Sequence, residues 1–249
     1  MQLKISPLHI FKSNLALITI LVIIHLINLF LISAMETNFT KAWHNLFSLD
    51  GENNVPTAYS ALALLVVSIV LFYIYAQRKK LKLPYVAWII LSFIFMFLAL
   101  DEWLQIHEIL IAPFRLTFNT SGALYFAWVI PYGIGLIIFA ASYLKFLINL
   151  PKKFAMLFII SGLIYCAGAL GLELVSGVIV EEYGMRSLAT VILNVIEETL
   201  EMVGIATFIY ALLDYIVYQF DSQIFQLSSK NFKITLQDQR VQLMDKAVQ

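Results

Sequence analysis

Residues 85–108 read YVAWIILSFIFMFLALDEWLQIHE, and this stretch decides the fold. Tyr85 to Leu100 carries no charge, and through Leu104 the segment reaches the roughly 20 residues needed to cross about 30 Å of hydrocarbon. Five further runs have the same character. The spans are read as 14–34, 58–76, 85–104, 123–144, 154–175 and 191–216. With 61% hydrophobic residues and only 13% charged, against about 25% charged in soluble domains, the chain is expected to be an all-α polytopic integral membrane protein, a six-transmembrane-helix bundle over residues 1–220. A polar tail, 221–249, follows. The first span starts after Lys4 and Lys12, but its apolar core is longer than the 7–15 residues of a signal peptide, so it is kept as a helix.

Charge placement gives an orientation. Six spans put both termini on one side. That side collects Lys4, Lys12, Arg78, Lys79, Lys80, Lys82, Lys145, Lys152, Lys153, Lys230, Lys233, Arg240 and Lys246, while the other holds Lys41, Arg115 and Arg186. Because cytoplasmic loops are rich in Lys and Arg, both termini are expected to be cytoplasmic, in a plasma or inner membrane. No nucleic-acid partner is expected of a chain with zero net charge and these basic loops. Membrane lipids are the expected surroundings, and a homo-oligomer or a larger membrane complex stays open.

The same stretch ends in Asp101, Glu102, His107 and Glu108. Glu173 interrupts the fifth run, and Glu197, Glu198 and Glu201 sit in the sixth. Carboxylates at membrane depth cost several kcal/mol unless paired, protonated or bound to a cation, so all eight are candidate metal ligands. None has a basic residue close in sequence to neutralise it. Counting about 1.5 Å per residue from Pro84 puts Asp101 about 25 Å along the axis, just beneath the outer headgroups. Residues at i, i+4 and i+7 share a helix face. The third span would then present Asp101, Gln105 and Glu108 to Asn194, Glu198 and Glu201 of the antiparallel sixth, with Glu173 closing the site from the fifth.

Carboxylates with one imidazole suit iron, zinc or manganese, and carboxylates alone suit magnesium or calcium. In outline the arrangement resembles the di-iron carboxylate bundles, but those carry Glu-x-x-His on two helices. Here Glu102 and His107 are too far apart in sequence and no second His adjoins the cluster. Nucleophile elbow, zinc-helix and P-loop motifs are absent. The expected cofactor is a divalent metal ion. The expected function is a membrane metalloenzyme, a metal-dependent hydrolase or oxidoreductase acting on a lipid or other apolar substrate. The alternatives are a divalent-cation or proton-coupled transporter and a non-catalytic subunit of a membrane complex. Few polar residues lie in the cytoplasmic half of the spans, which favours a site open to one side.

Other features have plainer readings. Residues 36–56 form a polar loop in which Trp43, Leu46, Phe47 and Leu49 make one face of a short interfacial helix. Asp50-Gly51-Glu52-Asn53-Asn54 is a turn, with Gly51 and the Asn pair taking unusual backbone angles. With His44, Asp50 and Glu52 it forms a lid over the acidic cluster. Pro131, Gly133 and Gly135 are expected to kink the fourth span. Cys166 reads as a small buried apolar residue, and His25 as a hydrogen bonder between helices or a distant proton relay.

Overall fold

A computed structural model describes residues 6–221 of the protein. The chain runs through α1 (Pro7–Ala34), α2 (Asn38–Phe47), α3 (Val55–Lys80), α4 (Val86–Leu104), α5 (Ile106–Phe118), α6 (Val129–Ile148), α7 (Lys152–Cys166), α8 (Glu173–Tyr183) and α9 (Leu188–Ile216). Six helical segments are long and apolar enough to span a membrane: Pro7–Ala34, Val55–Lys80, Val86–Leu104, Val129–Ile148, Lys152–Tyr183 and Leu188–Phe220. The architecture expected from the sequence is therefore present, with each span at or near its expected place. The described chain divides after Leu212. Of the second unit, Leu213–Gln249, only the end of α9 and a π-helical turn, Val217–Asp221, are described. The rest of the expected polar tail lies outside the described residues.

Local chemistry sets the helix ends. Pro7 opens α1 where a missing N–H costs no helical bond. Thr37 and Thr40 exchange side-chain and backbone bonds to cap α2. Asn54 accepts from Thr57 N at 3.1 Å to start α3, which ends on Arg78, Lys79 and Lys80 beside its free carbonyls. In α6, which starts at Val129, Pro131 falls in the first turn, where its missing N–H costs no helical bond.

The helices close on one another through small and polar contacts. Ser68 and Ser92 zip α3 to α4 by donating to each other's carbonyls at 2.7 and 2.9 Å. Tyr143 of α6 donates to Ala87 O of α4 at 2.9 Å. Ile18 and Leu21 of α1 pack with Met202 and Ala206 of α9, while Phe208 of α9 meets Phe95 and Phe158. A Cβ built on Gly204 would stand 2.7 Å from Tyr165 N, so α7 and α9 touch backbone to backbone.

The fifth span is not one regular helix. Between α7 and α8 the segment Ala167–Leu172 takes a π-helical turn, the wider turn that holds an extra residue and recurs at functional sites. Gly168 in that turn lies flat on α9, its missing Cβ only 2.8 Å from Glu197 O and 3.0 Å from Glu201 Cγ.

Candidate metal centre

One departure from the expected helices shapes the site. The stripe Asp101–Gln105–Glu108 was expected on one continuous helix. Instead the chain breaks at Gln105, which takes left-handed backbone angles (φ 55°, ψ 41°) between α4 and α5. Asp101 closes the break: its Oδ1 accepts from His107 N at 2.9 Å. His107 and Glu108 thus open a second helix, and α5 turns them back toward the loop that carries Glu52.

There Glu52, His107 and Glu108 converge, each placing a ligand atom within 4.8 Å of the other two. Glu52 and Glu108 are exposed and His107 is half-buried. Thr57 Oγ1 donates to Glu52 Oε2 at 3.3 Å. Behind His107 stands Asp101, buried at 6% exposure. Its Oδ2 lies 3.4 Å from His107 Nδ1, and its Oδ1 also accepts from Tyr132 OH at 2.7 Å. A carboxylate on one ring nitrogen holds the proton there and leaves the lone pair on the other, the arrangement that orients metal-bound histidines.

Electrostatics at this rim follow burial and charge. Burial by itself would lower the His107 value, but the hydrogen bond and charge of Asp101, with Glu102 and Glu52 behind, hold it above its ordinary range. Glu52 is exposed on one side, yet the protein packed on its other side strips water from the carboxyl and raises it, and the Glu108 charge adds to the effect. Asp50, also exposed at its surface, is raised by the same partial desolvation, partly offset by its bond from the Asn194 amide.

The remaining candidates line the ground beneath. Glu198 lies within electrostatic reach of Glu102, Glu52, Glu197 and Asp50, and Glu201 within reach of Glu198, Glu102 and Glu173. Glu173 accepts from Trp128 Nε1 at 2.7 Å and shares a hydrogen bond with Glu197. Of the eight residues read from the sequence, His107 and Glu108 are the two that share a ligand-distance group among the described residues, and Asp101 is engaged behind His107 rather than free. Glu52 was expected only as part of a lid, yet it joins His107 and Glu108 at the rim. In the turn that carries it, only Asn53 takes a positive φ (56°), not Gly51 or Asn54. Tyr132, Trp128 and Tyr165, the last close to Glu201 and Glu102, were not singled out in the sequence. Aromatic donors opposite a carboxylate cluster were the signal that could have found them.

Residues 15–215 match the family model described as a domain of unknown function, DUF8692. The chain belongs to that family. The match takes in four spans whole, most of the first and last, and every acidic residue of the site described above. No curated protein and no solved structure matches the chain.

Proposed function

We propose that the protein is a membrane metalloenzyme whose divalent ion, iron, zinc or manganese, is held at the acidic end of the bundle and whose substrate is a lipid or another apolar molecule. The convergence of Glu52, His107 and Glu108, with Asp101 fixed behind the imidazole, carries this reading. Two carboxylates and one imidazole suit these metals. Glu102, Glu173, Glu197, Glu198 and Glu201 supply further ligands, or a base for proton transfer. Such an ion would supply Lewis acidity or a bound hydroxide at neutral pH.

The substrate class is argued from α5. This helix carries two residues of the rim in its first turn and exposes Ile109 (67%) and Leu116 (86%) on one face. An apolar helix face continuous with membrane spans lies in the lipid interface, so the rim is reachable from the membrane plane. The split of basic residues supports an orientation with both termini cytoplasmic and this end on the opposite side. A carrier would need polar groups continuing through the bundle. Below Glu201, α9 runs through buried Met202, Ile205, Ala206, Phe208, Ile209, Ala211 and Leu212. Thr207 there is spent on Val203 O at 2.7 Å, which favours an enzyme over a carrier.

The test is elemental analysis by plasma mass spectrometry of detergent-purified wild type and of Glu52→Gln/Glu108→Gln, which alters two residues of the group that carries the reading. One or two transition-metal ions per chain, lost in the variant, is the expected result. No metal in either protein overturns the reading and leaves a proton-coupled carrier or a non-catalytic subunit.

A further inference from the structure

His25 sits in the middle of α1, fully buried at 0% exposure in a segment of apolar residues. Its one side-chain hydrogen bond among the described residues leaves the helix: Nδ1 accepts from the backbone N–H of Leu49 at 3.0 Å. A backbone N–H can only donate, so Nδ1 must present its lone pair and the proton of the neutral ring sits on Nε2. That tautomer argues against both roles usually given to a buried histidine. Nε2 carries a proton and has no lone pair for a metal, and the Nδ1 lone pair is spent on the Leu49 N–H, so it cannot take up the proton a relay would hand on while that bond holds. Nε2 also finds no acceptor among the described residues, and the nearby His44 ring, 6.4 Å away between centroids, is too far for a direct bond. A leucine of similar volume would avoid both the desolvated ring and the unpaired N–H. What the imidazole supplies, and a leucine cannot, is the acceptor for Leu49.

Leu49 anchors the loop that carries Glu52. Its side chain is buried against Ile18, Leu21, Met202 and Ala206. Asn54 ties the far end, donating to Ser48 O at 2.7 Å and Gly51 O at 2.6 Å. Asp50 between them takes the Asn194 amide of α9. The loop 48–54 is thus pinned at both ends, with Glu52 near its apex facing His107 and Glu108. Without an acceptor the Leu49 N–H would be a buried donor left unpaired, and the loop could satisfy it only by shifting toward water. Glu52 is three residues away and would shift with it.

We infer that His25, though in a membrane span and remote from the rim, is a positioning residue for the metal site, fixing the Glu52 arm through the Leu49 amide. This rests on the metal reading above. The test compares wild type with His25→Leu, which removes the acceptor, and His25→Asn, which restores an oxygen acceptor on a short side chain. Each protein is stripped with chelator in detergent, titrated with Mn2+, and followed by hydrogen exchange over residues 48–54. Expected are a rise of about tenfold in the Mn2+ dissociation constant of His25→Leu, faster exchange at 48–54, and recovery of both in His25→Asn. Mn2+ bound equally by wild type and His25→Leu overturns the positioning role while leaving the metal reading intact. Wild type that binds no Mn2+ overturns the metal reading instead. The clamp is then judged by exchange alone, and unchanged protection at 48–54 in His25→Leu sinks it.

Discussion

Gly204 offers the sharpest test of how the bundle is closed. A methyl group at this position would lie 2.7 Å from Tyr165 N, 2.8 Å from its Cβ and 2.9 Å from its Cα. These atoms belong to the α7 backbone or hang directly from it, so no rotamer change relieves the clash and the two helices must separate. Overpacking of this kind costs about 1–3 kcal/mol, while the helix propensity gained from Gly to Ala returns at most about 1 kcal/mol. Gly204→Ala is therefore expected to lose about 1 kcal/mol net. Gly162, on the same span as Tyr165, has nothing within 4 Å of its Cβ position. There the same substitution should leave stability unchanged or raise it slightly. At roughly 2–4 °C per kcal/mol for a protein of this size, the two variants should differ by about 2–8 °C in a thermal melt in detergent. A Gly204→Ala midpoint at or above that of Gly162→Ala would mean that α7 and α9 do not touch as described.

Further expectations concern the rim. Glu52→Gln should reduce bound divalent metal well below wild type, whereas Glu182→Gln, exposed and apart from the cluster, should leave it unchanged; equal losses would indicate surface binding. Tyr132→Phe removes the hydroxyl that donates to Asp101. It should weaken Mn2+ binding by about tenfold, and Asp101→Asn should weaken it more, because Asp101 touches His107 directly; titration of both variants checks the order. Partial desolvation holds the Asp50 and Glu52 carboxyls above their ordinary range, and Asp101 does the same for His107. For each, the folded value exceeds the unfolded one, so the stability it contributes is complete below the ordinary value and is lost as pH rises through the raised one. With chelator present the melting midpoint should therefore fall as pH rises from about 4 past the ordinary histidine value of about 6.5. A divalent ion should offset the fall at the upper end, and a midpoint that climbs steadily over this window without metal would contradict the account.

The spans were legible because hydrocarbon thickness writes itself into the length of apolar runs. The acidic cluster was legible because Glu197, Glu198 and Glu201 recur at helical spacing on a segment that has to cross. What was not legible is where the chain departs from regular helix for tertiary reasons. Gln105 carries no glycine or proline to announce a left-handed break; Asp101 reaching His107 N makes it, a contact between a residue and one six positions on. Glu52 looked like an ordinary turn residue because its fixed place depends on His25 and Asn54, one distant in sequence and one with a common turn identity. Pro131 suggested a bend because the start of α6 was placed at 123, several residues before Val129.

The wide turn at Ala167–Leu172 has a consequence for phase. Tyr165 and Glu173 are eight positions apart, and in an uninterrupted α-helix at 3.6 residues per turn they would point about 80° away from each other. One surplus residue absorbed by the wide turn makes the effective spacing seven, which brings the two directions to within about 20°. The phenol near Glu201 and the carboxyl bonded to Glu197 then look the same way, onto α9. Deleting a single residue between 167 and 172 would remove the surplus and leave a regular helix with Glu173 still facing α9, whereas straightening the turn with its residue count unchanged would swing the outer half, Glu173 included, by about a quarter of a revolution away from the site.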